Sequence, residues 1–238
     1  MSRTSDIEQR TLALGTNAAL SAAGGFLDAF TYIGHGHVFA NAMTGNVVLL
    51  AVNAAVGNWQ QSLRHLPPIV TFLVGVSFVR ALGLPRFREV LPDRAVMVLA
   101  IEIAAFFALS WLPASTSDFL IVIVICFVAS LQTATFRRIN NANYNSTFTT
   151  GNLRTLSESF FDWAFKGRSP ESWKQSSNFL TICSSFAIGA LIGGLLTPRL
   201  YNRSLLVVAT LLLAVLIHLI IARSPHLPEE STRSRPAS

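Results

Sequence analysis

Two carboxylates lie inside apolar stretches, where an ionised side chain is expensive. Asp28 follows Gly25-Phe-Leu, and Glu102 lies between Ala100-Ile101 and Ile103-Ala104. An aspartate at the centre of a lipid bilayer costs roughly 2.5 to 3.5 kcal/mol on insertion scales, so such residues are candidates for a functional role. Asp28 and Glu102 are therefore hypothesised to bind and release protons that are coupled to the movement of a solute across the membrane. Two alternatives stay open: Asp28 pairs with a polar group at the start of a short helix, and Glu102 faces a protein interior in its protonated form.

A Thr-Gly-Asn motif occurs twice, about a hundred residues apart. Each copy is predicted to begin a helix, because threonine and asparagine cap helix starts and glycine permits close backbone approach. Helix starts carry unpaired N–H groups and a partial positive charge. Two starts that meet would form a site for an anion or a small polar solute, although both motifs could be caps and tight turns alone. The candidate substrate-binding residues are Thr44, Gly45, Asn46, Thr150, Gly151, Asn152 and Gln132, the last from a segment that aligns with the one around Asp28.

No set of residues for catalysis or metal binding is recognisable. Cys126 and Cys183 lie in apolar blocks without a second ligand beside them, and His35-Gly36-His37 offers two imidazoles where a metal needs more. The His pair is more consistent with a loop or interface role. Gly-x-Ser-x-Gly, His-Glu-x-x-His and phosphate-loop motifs are absent from the sequence. We therefore expect neither an enzyme, nor a metal, nor a cofactor.

The composition indicates that lipid is the solvent. The 238 residues are 51% hydrophobic and only 13% charged, whereas a soluble domain is about one quarter charged. The mean hydropathy is +0.49. The net charge of +6 comes mainly from arginines between apolar blocks, which is the positive-inside pattern rather than a nucleic-acid surface. The expected partner is a lipid bilayer, that of a bacterial inner (plasma) membrane; no nucleic acid is expected, and a homo-oligomer is left open.

Apolar segments long enough to span a bilayer, about 17 to 25 residues, occur six times. They are Thr11–Ile33, Leu66–Leu84, Ala95–Leu112, Phe119–Phe136, Phe179–Leu196 and Leu205–Ile221. Gly45–Val56 is too short, and Gly151–Lys166 carries charges along one face, so neither should cross alone. The predicted fold is an all-α polytopic membrane protein with six transmembrane helices and two short re-entrant or broken helices.

The basic residues orient these spans. With both termini in the cytoplasm, most arginine and lysine residues between spans lie inside, and the loop 113–118, which has no basic residue, lies outside. Arg64, Arg199 and Arg203 are exceptions. An eight-span alternative places a larger basic cluster outside.

The sequence contains an internal repeat. Besides the Thr-Gly-Asn motif, Gly25-Phe-Leu-Asp-Ala29 aligns with Ser130-Leu-Gln-Thr-Ala134. Three spans per half is an odd number, so the halves must be inverted relative to each other, as in many transporters. We predict a polar N-terminal tail (1–10), one membrane domain (11–222) with repeats at about 11–112 and 118–222, and a disordered C-terminal tail (223–238).

These motifs resemble those of the YoaK-like family of uncharacterised bacterial membrane proteins. The resemblance rests on Gly25-Phe-Leu-Asp-Ala29, Asn41-Ala-Met-Thr-Gly-Asn46 and the weaker copy Thr149-Thr-Gly-Asn152, and it extends from about Asn17 to Ile221. It implies a six-span protein of the inner membrane and implies no substrate.

The leading hypothesis is a secondary transporter or channel-like protein for a small polar or anionic solute, with the two short helices at its central site. A non-catalytic membrane scaffold or sensor is the alternative, and it predicts a dry, closed midplane. A membrane-embedded enzyme is disfavoured because no catalytic set was found.

Overall fold

A computed structural model describes residues 3–84, 93–136, 138–139, 142–143 and 149–223, with side chains described for 14–84, 93–136 and 149–222. The described chain is almost entirely helical, apart from one antiparallel pair of two-residue strands, β1 (Arg138–Ile139) and β2 (Ala142–Asn143). The helices are α1 (Arg3–Gly34), α2 (Met43–Ala55), α3 (Trp59–Arg64), α4 (Leu66–Leu82), α5 (Arg94–Ser110), α6 (Asp118–Thr135), α7 (Thr149–Phe165), α8 (Pro170–Leu200) and α9 (Leu205–Arg223). The C-terminal tail predicted from residue 223 lies outside the described residues after Arg223.

All six predicted spans and both predicted short segments are helical over most of their length. The main differences are two earlier helix starts and one additional short helix. Helix α1 begins at Arg3 and so runs through the predicted polar tail. The short helix α3 was not predicted. Helix α8 begins at Pro170, well before the predicted Phe179, because Ser169 caps it by accepting from the N–H of Ser172 at 3.2 Å. Serine at the cap followed by proline in the first turn is a common helix start.

Three helical stretches in the described chain are long and apolar enough to cross a membrane. They are Trp59–Leu82, Asp118–Thr135 and Pro170–Ala222. The last stretch contains two helices, because the chain turns through Tyr201–Ser204, where Tyr201 has a positive φ of 47°. Helix α5 has 17 residues, at the short end of what spans a bilayer. The count of six spans remains a prediction.

Helices α1 and α8 cross with their backbones in contact. A Cβ atom on Gly25 would collide with the carbonyl of Phe186, and one on Gly189 would collide with the carbonyl of Ala22. The hydroxyl of Ser21 also donates to the carbonyl of Ile182 at 3.1 Å. Small residues thus permit a close crossing of the kind that membrane helices use. From Ser21 against Ile182 to Gly34 against Thr197, the contacts advance in the same direction along both helices, so α1 and α8 are parallel.

Two other helix pairs complete the bundle. Helices α4 and α6 cross where Gly75 faces Ser130. Helices α5 and α9 are antiparallel, since Asn202, just before α9, donates to the carbonyl of Leu112, just after α5, at 3.1 Å. One hydrophobic core unites both halves of the chain, with Phe30 and Leu99 from the first half and Ile125 and Leu212 from the second.

Candidate functional site between two short helices

The chain turns back along α1 before it begins α2. Helix α1 ends at Gly34, yet the side-chain amide of Asn41 donates to the carbonyl of Gly24 at 3.2 Å. Ten residues of α-helix cover about 15 Å, which is half the thickness of a typical hydrocarbon core of about 30 Å. The start of α2 at Met43 therefore lies level with the middle of α1 rather than with its end.

Asp28 faces this returning segment. Its Oδ1 accepts from the backbone N–H of Asn41 at 2.6 Å. Its Oδ2 is buried and has no hydrogen-bond partner among the described residues. The residue is only 5% exposed. A buried carboxylate oxygen without a donor is costly, so this atom is a chemically unsatisfied point of the region.

Asn46 and Gly45 hold the segment in place. The Asn46 side chain accepts from the N–H of Phe39 at 2.9 Å and donates to its carbonyl at 2.8 Å. Its Oδ1 also lies 3.3 Å from Nδ1 of His65, and both side chains are fully buried. A Cβ on Gly45 would press against the ring of Phe39. These contacts fix the non-helical stretch that precedes α2.

A cavity of about 440 Å³ joins the two Thr-Gly-Asn regions. Thr44 at the start of α2 and Thr150 at the start of α7 both line it, together with Asp28. The remaining lining residues are mostly apolar: Ala29, Tyr32, Ile33, Phe39, Ala42, Met43, Thr149, Phe186, Ala190 and Gly194. Two helix starts and one carboxylate thus share one cavity.

Four other candidates from the sequence lie outside this lining. Asn46 is occupied by Phe39, Asn152 is buried in α7, Gly45 packs on Phe39, and Gly151 has open space where a Cβ would be. Within the described residues, the threonine is the one position of each Thr-Gly-Asn motif that lines the cavity.

Glu102 and Gln132 meet away from the cavity. Glu102 is fully buried in α5 and Gln132 is 2% exposed in α6. With its NH₂ group turned towards α5, Gln132 donates to both carboxylate oxygens at 3.0 and 3.2 Å. In the opposite orientation that group donates to the carbonyl of Leu20 at 3.4 Å. We favour the first orientation because it gives the shorter bonds and satisfies the carboxylate. The pair links α5 to α6 inside the core.

The sequence had not singled out three contributors to the site. Asn41 begins the repeated motif, so its polar side chain near Asp28 offered a signal. Tyr32 and Phe39 stack with ring centroids 4.9 Å apart and an interplanar angle of 14°. They form one wall of the cavity, and nothing in their spacing indicates that the chain reverses between them.

A second cavity, of about 450 Å³, lies at the end of α1. His35 contributes Nδ1, 2.9 Å from Oδ1 of Asp118 at the start of α6, and Arg64 lines the same space. His35 thus lies at an interface between helices. In the described part of the chain no three His, Cys, Asp or Glu residues are grouped for a metal.

The charged residues of α7 form ion pairs on its exposed face. Arg154 pairs with Glu158 at 2.8 Å, and Asp162 pairs with Lys166 at 2.8 Å, each four residues apart and well exposed. Such pairs stabilise a helix by a few tenths of a kcal/mol and indicate a polar environment for this side of α7.

Comparisons with known proteins show the family of this chain. A family model described as "Protein of unknown function (DUF1275)" matches residues 17–218. A relative from Bacillus subtilis (strain 168), the UPF0700 transmembrane protein YoaK, is 24% identical over 182 residues, which cover 75% of this chain and 81% of the relative. No solved structure matches the chain. The family match covers most of the chain, and the described helices suit a bilayer, so the chain is a membrane protein that belongs to the DUF1275 family.

Proposed function

We propose that this protein is a secondary transporter or channel-like protein for a small polar or anionic solute, bound between α2 and α7. The observation that carries the proposal is the shared cavity, in which Thr44, Thr150 and Asp28 meet. Helix starts deep in a membrane protein expose N–H groups that need a polar partner. In transporters such interrupted helices in matching positions form the substrate site.

The pattern of helix packing supports an inverted 3+3 repeat. The repeat pairs α1 with α6, α2 with α7, α4 with α8 and α5 with α9. If the two halves have the same structure, a contact between two helices of the pairs must recur between their counterparts. The contact of α1 with α8 thus requires a contact of α6 with α4, and α5 must contact α9, its own counterpart. All three contacts are present. The crossing points match as well. Gly25 and its aligned residue Ser130 each lie at the point of closest approach, against Phe186 and Gly75 respectively.

The directions of the helices support six spans with both termini in the cytoplasm. Parallel α1 and α8 both run outwards in that topology, and α4 and α6 both run inwards. The His35–Asp118 pair joins the end of α1 to the start of α6, and the Asn202–Leu112 bond joins the end of α5 to the start of α9. Both links join segments that the topology places outside.

The alternative, a non-catalytic scaffold or sensor, predicts a dry and closed midplane. A cavity lined by Thr44, Thr150 and Asp28, whose buried Oδ2 has no partner among the described residues, favours a solute site instead. The proposal includes no catalytic step and no cofactor. Asp28 supplies the ionisable group of the site, and proton coupling through it remains a prediction, while Glu102 lies in the packed core.

A solute screen tests the proposal. Detergent-purified protein is heated with a panel of small anions, organic acids and polar metabolites, and each solute that raises the unfolding temperature is followed by uptake into proteoliposomes. We expect one solute class to stabilise the protein and to enter the vesicles. Thr44→Val and Thr150→Val each keep the side-chain shape, remove one hydroxyl from the cavity and should weaken both responses.

Thr210→Val is the matched control, since Thr210 is exposed on α9 and its hydroxyl donates to the carbonyl of Leu206 outside the cavity. It should leave both responses unchanged. If no solute shifts the unfolding temperature and no vesicle takes up solute, the scaffold hypothesis replaces the transporter.

A further inference from the structure

We infer that the cavity accepts a small zwitterion with an apolar body, of the chemical class of the neutral α-amino acids. Its ammonium group would bind Oδ2 of Asp28, and its carboxylate would lie at the starts of α2 and α7. This inference rests on the proposed function and specifies the substrate of that same site.

Asp28 provides the cation-binding half of the site. One of its carboxylate oxygens is already satisfied by the N–H of Asn41, which fixes the orientation of the side chain. The other oxygen is buried without a donor among the described residues and belongs to a residue that lines the cavity. An ammonium group supplies several N–H donors and a compensating charge, so it satisfies the atom that the protein leaves unsatisfied.

The helix starts provide the anion-binding half. No side chain caps the start of α2, where the cap residue is Ala42. The N–H of Met43 donates to the carbonyl of Asn41, so the N–H groups that follow it in the first turn are the ones available to an external acceptor. Thr149 and Thr150 bring the start of α7 to the same cavity. A carboxylate is a common ligand for such helix ends, and the threonine hydroxyls can donate to it as well.

The total charge of the site selects against a simple ion. Each helix start carries roughly half a positive charge. The two starts together therefore carry about one positive charge, which the negative charge of the Asp28 carboxylate balances. A lone anion would be placed beside Asp28, and a lone cation would be placed beside two positive helix ends. A solute with both charges and no net charge meets neither penalty.

The walls of the cavity suit an apolar body. Tyr32 and Phe39 form a stacked aromatic pair on one side, while Phe186, Ala190 and Gly194 present α8 on the other. A volume of about 440 Å³ falls within the range of ligand pockets, about 300 to 1,000 Å³. The cavity therefore has room for an aliphatic side chain beside the two charged groups.

An anion that binds while Asp28 is protonated would give the site the same total charge as a zwitterion that binds while Asp28 is ionised. The two cases differ in the protonation state of Asp28. For a zwitterion, the ionised carboxylate contacts the ammonium group, so Asp28→Asn removes the contact. For an anion with a proton, asparagine resembles the protonated carboxyl group, so Asp28→Asn retains binding.

Three matched probes make the test: leucine, 4-methylpentanoate, which lacks the amino group, and 3-methylbutylamine, which lacks the carboxylate. Binding to the full-length protein in detergent is measured by calorimetry and by the shift in unfolding temperature. We expect leucine to bind at least about tenfold more tightly than either analogue, because each analogue loses one charged hydrogen-bonding group. Asp28→Asn should abolish the preference for leucine. Asp162→Asn, in an exposed pair on α7, is the control and should keep it.

Each other outcome has a defined meaning. If 4-methylpentanoate binds as well as leucine and Asp28→Asn retains that binding, the solute is an anion with a proton, so the inference fails and the transporter proposal stands. If none of the three probes binds while another solute from the wider panel does, the inference fails alone. If no solute of the entire panel binds, both the inference and the transporter proposal fail. The comparison of the three probes on the wild-type protein decides the matter even if Asp28→Asn does not fold.

Discussion

The backbone N–H of Asn41 and Oδ1 of Asp28 are 2.6 Å apart, which ties the segment before α2 to the middle of α1. The same residue reaches Gly24 with its side chain. A single residue thus sets both the depth at which α2 begins and the orientation of the carboxylate in the cavity. Asn41 is therefore a positioning residue, and its side chain can be removed without touching the cavity wall.

Asn41→Ala should lower the free energy of unfolding by about 1 kcal/mol, the usual net value of one buried hydrogen bond. It should also weaken the solute response of the cavity, because the start of α2 is less firmly held near Asp28. Thermal unfolding in detergent, with and without the best solute, measures both effects. Unchanged stability together with an unchanged solute response would show that Asn41 does not position this segment.

Asn46→Ala should destabilise the protein more strongly, by roughly 2 kcal/mol or more, since it leaves both the N–H and the carbonyl of Phe39 without their partner. Chemical unfolding monitored by tryptophan fluorescence gives the value. The sequence hypothesis of a substrate contact makes a different prediction, namely that solute affinity falls while stability without solute stays as in the wild type.

Gly189→Ala should disrupt the crossing of α1 and α8, because the new Cβ meets the carbonyl of Ala22 and neither backbone can move freely. Overpacking of this kind costs about 1 to 3 kcal/mol. Gly15→Ala in α1 is the control: a Cβ there meets no atom within 4 Å, and replacing a helical glycine by alanine gains about 0.5 to 1 kcal/mol. Equal effects of the two substitutions on the unfolding temperature would contradict the close crossing.

Membrane topology can be mapped with single cysteines after Cys126 and Cys183 are replaced. Gln60→Cys, in α3, and Ser115→Cys, between α5 and α6, should react with an impermeant thiol reagent in intact cells. Lys174→Cys, near the start of α8, should react only after the membrane is opened. Labelling of Lys174→Cys from outside would exclude the six-span arrangement with cytoplasmic termini.

The positions of the helices could be predicted from the sequence because they depend on apolar length, which is a local property. Leu66 and Leu205 are predicted and observed starts. The early start of α8 was missed because the polar run before Phe179 carries no hydrophobic signal, although Ser169 and Pro170 mark a helix start.

The site was predictable only in part, because it depends on contacts between distant segments. Repetition of the Thr-Gly-Asn motif indicated Thr44 and Thr150, and both line the cavity. The motif could not show that Asn46 would be occupied by Phe39, nor that Glu102 and Gln132 would pair in the core. Those outcomes depend on how far the chain returns along α1 before α2 begins. No repeating pattern in the sequence indicates that distance.

The crossing of α1 and α8 also sets the order in which the molecule can be completed during synthesis. Ser21 and its partner Ile182 are 161 positions apart, so at about 5 to 20 residues per second a ribosome takes roughly 10 to 30 s between them. In the proposed six-span topology, the small-residue face of α1, which includes Asp28, stays in the bilayer during that interval without the helix that covers it. The nascent chain is then most exposed to wrong pairing and to quality-control proteases, and substitutions on this face should reduce yield in cells before they alter the finished protein.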